Sequence, residues 1–222
     1  MKEQKNLTLA TYTRIKDMML HYDIIPGQRL VFVDLAQQLG VSRTPVNNAL
    51  SILAKEGYLD FIPNQGYSVH RLTMEEAQAL YEIREILEIG SIGKSIRRMT
   101  DEKLKKIEQH NNLYKKSITN RVHRNLFIID TEFHASIIEM MGNVYLVERY
   151  RDVCQKIFLR HRIESLRVER ISEIVSEHEK LCEALRIRDV NLAKELIRAH
   201  NSNARKNLFA IIFEDRTAQK IK

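Results

Sequence analysis

The chain has 222 residues, with 36 lysines and arginines against 29 aspartates and glutamates, for a formal net charge of +7. This length allows one large or two small domains, and 44 % hydrophobic residues supply a core, which excludes a disordered polyelectrolyte. No apolar run approaches the roughly 20 residues of a membrane span, and the polar first residues lack the core of a signal peptide, so a cytoplasmic protein is expected.

The composition predicts a mainly α-helical protein. There are only 7 glycines and 3 prolines, no tryptophan, and an abundance of leucine, isoleucine, lysine, glutamate and arginine. These residues favour helices, so strands are expected to be a minority. Cys154 and Cys182 form no CxxC motif, which predicts two packing residues in a reducing compartment rather than a disulfide.

Three helices are predicted at the N-terminal end of the chain. Apolar residues recur at helical spacing from Leu7 to Tyr22, before the turn sequence PGQRL. The second helix lies in VFVDLAQQLG and ends at Gly40, and the third lies in RTPVNNALSILAKEGY and ends at Gly57. Two helices joined by a tight turn at Gly40 predict a helix-turn-helix.

The start of the third helix carries an unexpected cation. Ser42 or Thr44 can cap this helix, and Pro45 suits its first turn. Arg43 has no such role, because a positive side chain beside the positive end of a helix dipole is mildly unfavourable. Arg43 therefore indicates an external anion such as a phosphate backbone, and a solvated surface arginine is the alternative.

The pattern after Gly57 predicts a hairpin. Two β-prone runs, Tyr58 to Ile62 and Tyr67 to Arg71, flank the turn sequence PNQG. A hairpin that directly follows the third helix is a wing. Residues 1–71 carry 8 lysines and arginines against 6 acidic residues, so any DNA binding here would depend on a few placed cations rather than a broad basic field.

A long helical region follows the hairpin. Thr73 and Glu76 have the spacing of a capping box, which places a boundary between an N-terminal domain, residues 1–72, and a helical domain, residues 73–222. Helices are predicted in the second domain at roughly 73–99, 101–118, 121–141, 143–163, 167–187 and 189–214.

Four polar residues interrupt the inward stripes of these helices. Asp130 and His134 lie one turn apart on one apolar face, and His178 and His200 each lie on such a face in a later helix. A single inward histidine is most simply a hydrogen-bonded core residue. Four such groups are expected to converge, because each is costly to bury without a partner, and a divalent metal ion would satisfy them together. Three imidazoles and a carboxylate suit Zn²⁺ or Ni²⁺, with Fe²⁺ and Mn²⁺ as further candidates.

Arg84, in YEIREILE, is also predicted to point inward. It shares a stripe with Leu80, Leu87 and Ser91, and a buried arginine requires an anion. The carboxylate of a small ligand is one candidate, and a structural ion pair with a glutamate of the same helix is the other. His161 and Arg162 are weaker candidates for the same cavity. The remaining histidines are expected at the surface: His21, His70, His110 and His123.

Two parts of the chain resemble known families. The segment PGQRLVFVDLAQQLGVSRTPVNNALSILAKEGYLDFIPNQGYSV resembles the winged helix-turn-helix of GntR-type bacterial transcription regulators. The motifs DTEFH, EHEKLCEAL and RAHN are similar to the metal-binding version of the FCD domain, which is attached to one large branch of that family. This resemblance implies an all-α bundle whose four ligands hold a divalent ion, with open positions for a small organic acid. It also implies a homodimer that binds double-stranded operator DNA.

The resemblance further implies that the third helix enters the major groove and that the wing tip approaches the minor groove. The DNA contacts that it implies are Arg29, Ser42, Arg43, Thr44 and Gly66.

One position departs from the family pattern. Where the family carries an arginine two residues after the proline, this chain has Asn47. Asparagine pairs with adenine whereas arginine prefers guanine, so an altered, more A/T-tolerant operator is expected. The alternative is that Asn47 faces solvent.

These residues are consistent with three functions. The leading hypothesis is a transcription regulator that responds to a small acid bound in the metal cavity. The second is a DNA-binding regulator whose metal site is purely structural. The third, a metal-dependent hydrolase, requires a positioned general base. Glu132, Glu177 and Glu179 neighbour the ligands but fall off the inward stripes, so no catalytic residue is assigned.

Overall fold

The chain folds into two compact units. A computed structural model describes residues 2–118, 125–160 and 168–210. The first unit consists of Met1–Leu72 with Lys156–Arg162, and the second of Thr73–Gln155 with Ile163–Lys222. The described residues are mainly helical with one small antiparallel sheet, which confirms the predicted fold class. No helix among them is long and apolar enough to cross a membrane.

The first unit contains the three predicted helices and the predicted hairpin. Its elements are α1 (Lys2–Leu20), β1 (Arg29–Leu30), α2 (Phe32–Leu39), α3 (Arg43–Lys55), β2 (Leu59–Ile62) and β3 (Gly66–Val69). One apolar face of each helix enters a shared core, which includes Ile15, Met19, Leu35, Val46, Leu50 and Leu53. The first helix begins earlier than predicted, and the others end within a few residues of the prediction.

The sheet has the order β1-β3-β2, with all pairs antiparallel. The β2–β3 hairpin was predicted, but β1 was not. This strand is two residues long and pairs Arg29 with Ser68. Two residues are too few to show a period-2 pattern, so β1 leaves no signal in its own sequence. Gly66 begins β3 with a left-handed φ of 87°, a conformation that glycine adopts without strain.

The turn between α2 and α3 has the predicted position but not the predicted cap. Gly40 ends α2 with φ of 67°, and its N–H reaches the carbonyl groups of the last turn of α2. Ser42 occupies the N-cap position of α3, yet its side chain makes no capping hydrogen bond. Pro45, three residues later, has no N–H, which leaves the amide of Thr44 as the remaining donor that a cap at Ser42 could use. The predicted side-chain cap was wrong.

The second unit is a bundle of long helices. They are α4 (Met74–Arg97), α5 (Asp101–Lys116), α6 (Asn125–Glu139), α7 (Val144–Leu159), α8 (Val168–Arg186) and α9 (Val190–Phe209). The last residues of α7, from Lys156, are counted with the first unit. The capping box predicted at the start of α4 is present: the amide of Glu76 donates to Thr73 Oγ1 at 3.2 Å, and the amide of Thr73 donates to Glu76 Oε2 at 3.1 Å. The predicted helix ends near 121, 163, 167 and 214 lie outside the described residues.

The core of this bundle surrounds the polar residues singled out above. Its apolar part is built from inward faces of α4, α5, α6, α8 and α9, and it includes Ile92, Ile107, Phe133, Ile137, Leu181 and Ile197. These helices fix the positions of the candidate ligands because each ligand lies on the same stripe as its core residues.

Candidate functional site

The predicted metal ligands lie together inside the second unit. Asp130 and His134 come from α6, His178 from α8 and His200 from α9. Each residue offers one ligand atom, and these atoms all lie within 4.8 Å of one another. The four side chains are buried, with exposed fractions of 7 %, 1 %, 1 % and 3 %. Three helices thus bring four potential ligands to one point.

The Nε2 atoms of the histidines face the carboxylate of Asp130. His134 Nε2 lies 3.2 Å from His200 Nε2. Asp130 Oδ1 lies 3.2 Å from His178 Nε2 and 3.8 Å from His200 Nε2. The ring of His178 also stacks on Phe133, with centroids 4.0 Å apart and planes 16° apart, which fixes its orientation. Three lone-pair nitrogens and one carboxylate oxygen therefore point into a shared space.

Several of these atoms lack hydrogen bonds. Asp130 Oδ1 and both ring nitrogens of His178 are buried without a hydrogen-bond partner, although Oδ1 and Nε2 lie 3.2 Å apart. Buried polar groups in native proteins are nearly always satisfied, so this cluster is incomplete as it stands. A divalent ion fits the donor set, because neutral imidazoles and a carboxylate are ordinary ligands of Zn²⁺ and related metals.

The ionisation of the cluster suits a cation. Burial lowers the pKa of His134 well below its usual range, and it lowers the pKa of His178 as well. Burial alone would raise the pKa of Asp130, but His178 and Arg84 outweigh it and hold that pKa well below its usual range. Neutral imidazoles beside an ionised carboxylate are the protonation states that metal binding requires.

Glu177 supports the cluster from outside. Its Oε2 lies 2.8 Å from His200 Nδ1, which places the proton of that ring on Nδ1 and leaves Nε2 free as a ligand. Arg170 holds the same carboxylate with two hydrogen bonds of 2.8 and 3.0 Å. Burial raises the pKa of Glu177, but His200 and Arg170 lower it to about 2 overall. Glu177 was noted only as a neighbour of the ligands that falls off the inward stripe, and its contact with His200 was not predicted, because its side chain reaches α9 from the flank of the α8 stripe.

Arg84 reaches the same cluster from α4. It is 2 % exposed. Its Nε donates to Glu88 Oε1 at 3.0 Å, and its Nη2 lies 3.3 Å from Asp130 Oδ2 and 3.4 Å from His200 Nε2. The helix glutamate considered for Arg84 is therefore Glu88, and the cluster of Asp130 and the histidines lies beside the guanidinium. A contact between Arg84 and the carboxylate of a small ligand stays a prediction.

Glu88 is a buried carboxylate that sequence reasoning missed. It accepts hydrogen bonds from Tyr150 at 2.7 Å and from Asn201 Nδ2 at 2.8 Å, and His134 Nδ1 lies 3.7 Å from its Oε1. The i, i+4 spacing from Arg84 could have identified it, but Tyr150 and Asn201 come from distant parts of the chain and gave no local signal.

Other residues considered from the sequence do not contribute to the cluster of proposed ligands. Glu132 pairs with Arg151, and Glu179 pairs with Lys115. Both cysteines are buried free thiols, and burial raises the pKa of Cys154 to about 12. His123, His161 and Arg162 lie outside the described residues.

The candidate DNA contacts lie on the exposed side of the first unit. Arg43, Thr44 and Asn47 are exposed along the first turns of α3, and Ser42 is exposed just before them. The opposite face of α3 is buried, so these side chains point to solvent. Near the wing turn, exposed Arg29 donates from Nε to the carbonyl of Gln65 at 2.9 Å, beside half-buried Gly66.

Comparison with known proteins places the chain among bacterial regulators. Residues 7–69 match the family "Bacterial regulatory proteins, gntR family", and residues 79–203 match the FCD domain. The chain is 26 % identical over 193 residues to the uncharacterized HTH-type transcriptional regulator YdhC of Bacillus subtilis (strain 168), covering 86 % of each protein. It is 25 % identical over 203 residues to the HTH-type transcriptional repressor GlaR of Escherichia coli (strain K12), covering 87 % of this chain and 91 % of that protein. The structure of E. coli McbR/YncC superposes with a TM-score of 0.80 at 20 % identity, over 91 % of this chain and 97 % of that one, which shows a shared fold.

Proposed function

We propose that this chain, which belongs to the GntR family of bacterial regulatory proteins and carries an FCD domain, is a DNA-binding transcription regulator. It acts as a homodimer, and it senses a small carboxylic acid at a divalent metal ion. The observation that carries this proposal is the convergence of Asp130, His134, His178 and His200, with buried ligand atoms that lack hydrogen bonds. The first domain, residues 1–72, reads DNA, and the second, residues 73–222, holds the metal and effector.

The metal site is built from residues of three helices. Asp130 and the Nε2 atoms of the three histidines would hold Zn²⁺ or Ni²⁺, with Fe²⁺ and Mn²⁺ as further candidates. A bound ion would offer open coordination positions to a carboxylate. Glu177 keeps the His200 ring in the tautomer that binds through Nε2.

The effector is inferred to be an acid because of Arg84. This guanidinium lies within 3.5 Å of both Asp130 and His200, so an anion at the cluster would contact it directly. An arginine fork binds a carboxylate with two parallel hydrogen bonds, which gives geometric selectivity as well as charge. The acid would have to compete with Glu88, which is already paired with Arg84.

DNA binding is assigned to α3 and the wing. Ser42, Arg43 and Thr44 are exposed at the N-terminal end of α3, where hydroxyls, free N–H groups and a guanidinium can contact phosphates and base edges. Asn47 is exposed one turn further and can pair with adenine. Two copies of this element are needed for a long operator, since one short recognition helix contacts few bases. An effector that binds one of two arrangements of the paired domains more tightly would shift operator affinity.

A second candidate function follows from the Arg84–Glu88 pair. Because Arg84 already has buried anionic partners, the metal site is also consistent with a purely structural role. Thermal unfolding separates the two candidates. Sugar acids, hydroxy acids and dicarboxylates are added to metal-loaded protein and to the same protein after chelation.

In the sensing function, a fitting acid raises the melting temperature only of metal-loaded protein, and it changes retention of the promoter DNA. In the structural function, chelation lowers the melting temperature, while no acid changes either stability or DNA retention. Turnover of simple esters or phosphates by metal-loaded protein would contradict both.

Replacing Arg43 with alanine tests the DNA assignment. The variant is expected to bind its operator roughly 10- to 100-fold more weakly, because a direct contact with a base edge contributes about 1–3 kcal/mol. Arg43 is exposed, so the melting temperature of the variant should equal that of the wild type. Titration of labelled promoter DNA at fixed salt measures the change. Lys55→Ala, in the last turn of the same helix, is the control. Equal affinities for wild type and Arg43→Ala would remove Arg43 from the interface.

A further inference from the structure

The outward face of α4 carries apolar residues at its centre. Ile86 is 68 % exposed and Ile83 is 44 % exposed, although the opposite side of the same helix packs into the core. Ala79 and Gly90 are also exposed. Spacings of 4, 3 and 4 residues place 79, 83, 86 and 90 on one stripe of the helix. Large exposed aliphatic side chains grouped in this way mark an interaction surface more often than a solvated helix face.

Small residues beside the two isoleucines leave room for close approach. A Cβ added at Gly90 would meet no atom within 4 Å, so the space above this residue is open. Gly93 and Ala79 lie on the same stripe, on either side of Ile86. A Cβ added at Gly93 would lie 3.7 Å from both Arg97 Nη1 and Val190 Cγ1, so the point where a partner helix can come closest to the α4 backbone is Gly90.

The charges on this face are divided between its two ends. Glu75 and Glu82 are exposed on the N-terminal half, and Arg97 is exposed at the C-terminal end. Positions 75, 82 and 97 lie within about half a turn of the stripe that contains Ile86, given 100° of rotation per residue. The face is therefore acidic at one end, apolar in the middle and basic at the other end.

We propose that this α4 face pairs with the same face of a second copy of the chain, antiparallel about a two-fold axis at Ile86. Counting equally in both directions from residue 86 places Ala79 opposite Gly93 and Glu75 opposite Arg97. Ile86 meets its own copy. Residue 83 falls opposite residue 89, so Ile83 lies within one residue of Gly90. A parallel pairing would instead bring like charges together at both ends.

The occupant is a second copy because the pattern is complementary to itself. A two-fold interface uses the same patch on both subunits, so each feature must find its complement at the mirrored position. The opposite charges at 75 and 97 and the small residues at 79 and 93 meet this condition. This inference takes from the proposed function only that the chain forms a homodimer. It adds which surface the two copies share and which residues of the two copies face each other.

Gly90→Leu tests the pairing without weakening the monomer. Leucine favours a helix more than glycine does, and the space above Gly90 is open, so the folded chain should be at least as stable. The added side chain would block the approach of the second helix. Sedimentation velocity is expected to show a dimer for the wild type and a dissociation constant raised at least 100-fold for Gly90→Leu and for Ile86→Glu. Ile187→Glu, at a site 57 % exposed outside this face, should remain dimeric.

Cysteine crosslinking tests the register. Ile86→Cys is expected to form an intermolecular disulfide under mild oxidation, since residue 86 meets its copy at the axis, whereas Ile187→Cys should not. The native cysteines are buried and give little background. A wild-type dimer that survives both Gly90→Leu and Ile86→Glu would overturn this face while the homodimer stands. A monomeric wild type would overturn the face and the homodimer together, but neither result bears on metal or DNA binding by the chain.

Discussion

His178→Gln is expected to abolish tight divalent metal binding by the full-length protein. His178 is one of the four proposed ligands, and both of its ring nitrogens lack hydrogen bonds in the structure, so a bound ion would supply the partner that its burial requires. Loss of an outer-shell partner alone commonly reduces metal affinity 10- to 100-fold, so loss of a ligand should reduce it by more than about 100-fold. Metal content after dialysis, with competition against a chelator of known affinity, measures the loss.

Two further variants provide an intermediate case and a control for this experiment. Glu177→Gln weakens the hydrogen bond that orients His200 and leaves all four ligands in place, so an intermediate loss of roughly 10- to 100-fold is expected. His21→Gln, at an exposed histidine of the first unit, should leave metal content unchanged. If His178→Gln retained one tightly bound ion per chain, the cluster would not be the metal site. If Glu177→Gln matched the wild type, Glu177 would have no orienting role.

The convergence of the four polar residues could be predicted from sequence because each is an exception to a regular pattern. Asp130, His134, His178 and His200 stand on stripes that are otherwise apolar, and the helical period alone shows that they face inward. Glu177 lies at the edge of its stripe, and only the fold shows that its side chain reaches His200. A helical period gives the direction in which a side chain leaves the helix to within a fraction of a turn. For a long flexible side chain, this direction does not predict which residue its polar end will contact.

Two features of the fold were not predicted correctly from the sequence. β1 depends on hydrogen bonds to β3, whose residues lie far along the chain. The predicted cap at Ser42 is absent, although Ser42 and Pro45 individually favour a helix start, and Pro45 takes away one of the two amide donors that such a cap can use. The helix order, the wing and the capping box at Thr73 follow from nearby residues, and these were correctly predicted.

Arg84→Gln is expected to destabilise the metal-free protein by about 3–5 kcal/mol, because it leaves the buried carboxylate of Glu88 without its cation. Asp130 loses the same partner. A metal ion bound at the cluster would supply positive charge to the same site. The loss in the free energy of unfolding should therefore be smaller for metal-loaded protein. Urea unfolding with and without metal gives the two free energies of unfolding. The replacement of both partners, Arg84→Met with Glu88→Leu, should recover much of the stability, since it leaves no unpaired charge on α4.

The matched control for this experiment is a surface ion pair of similar geometry. Arg151 holds Glu132 with two hydrogen bonds of 2.9 and 2.7 Å, but both side chains are more than 30 % exposed. Arg151→Gln should therefore cost only about 0–1 kcal/mol. The difference between the losses in the free energy of unfolding of the two variants isolates the effect of burial. If Arg84→Gln cost no more than Arg151→Gln, the carboxylate of Glu88 would be solvated or protonated in the native state, and the electrostatic basis for an acid-binding Arg84 would be lost.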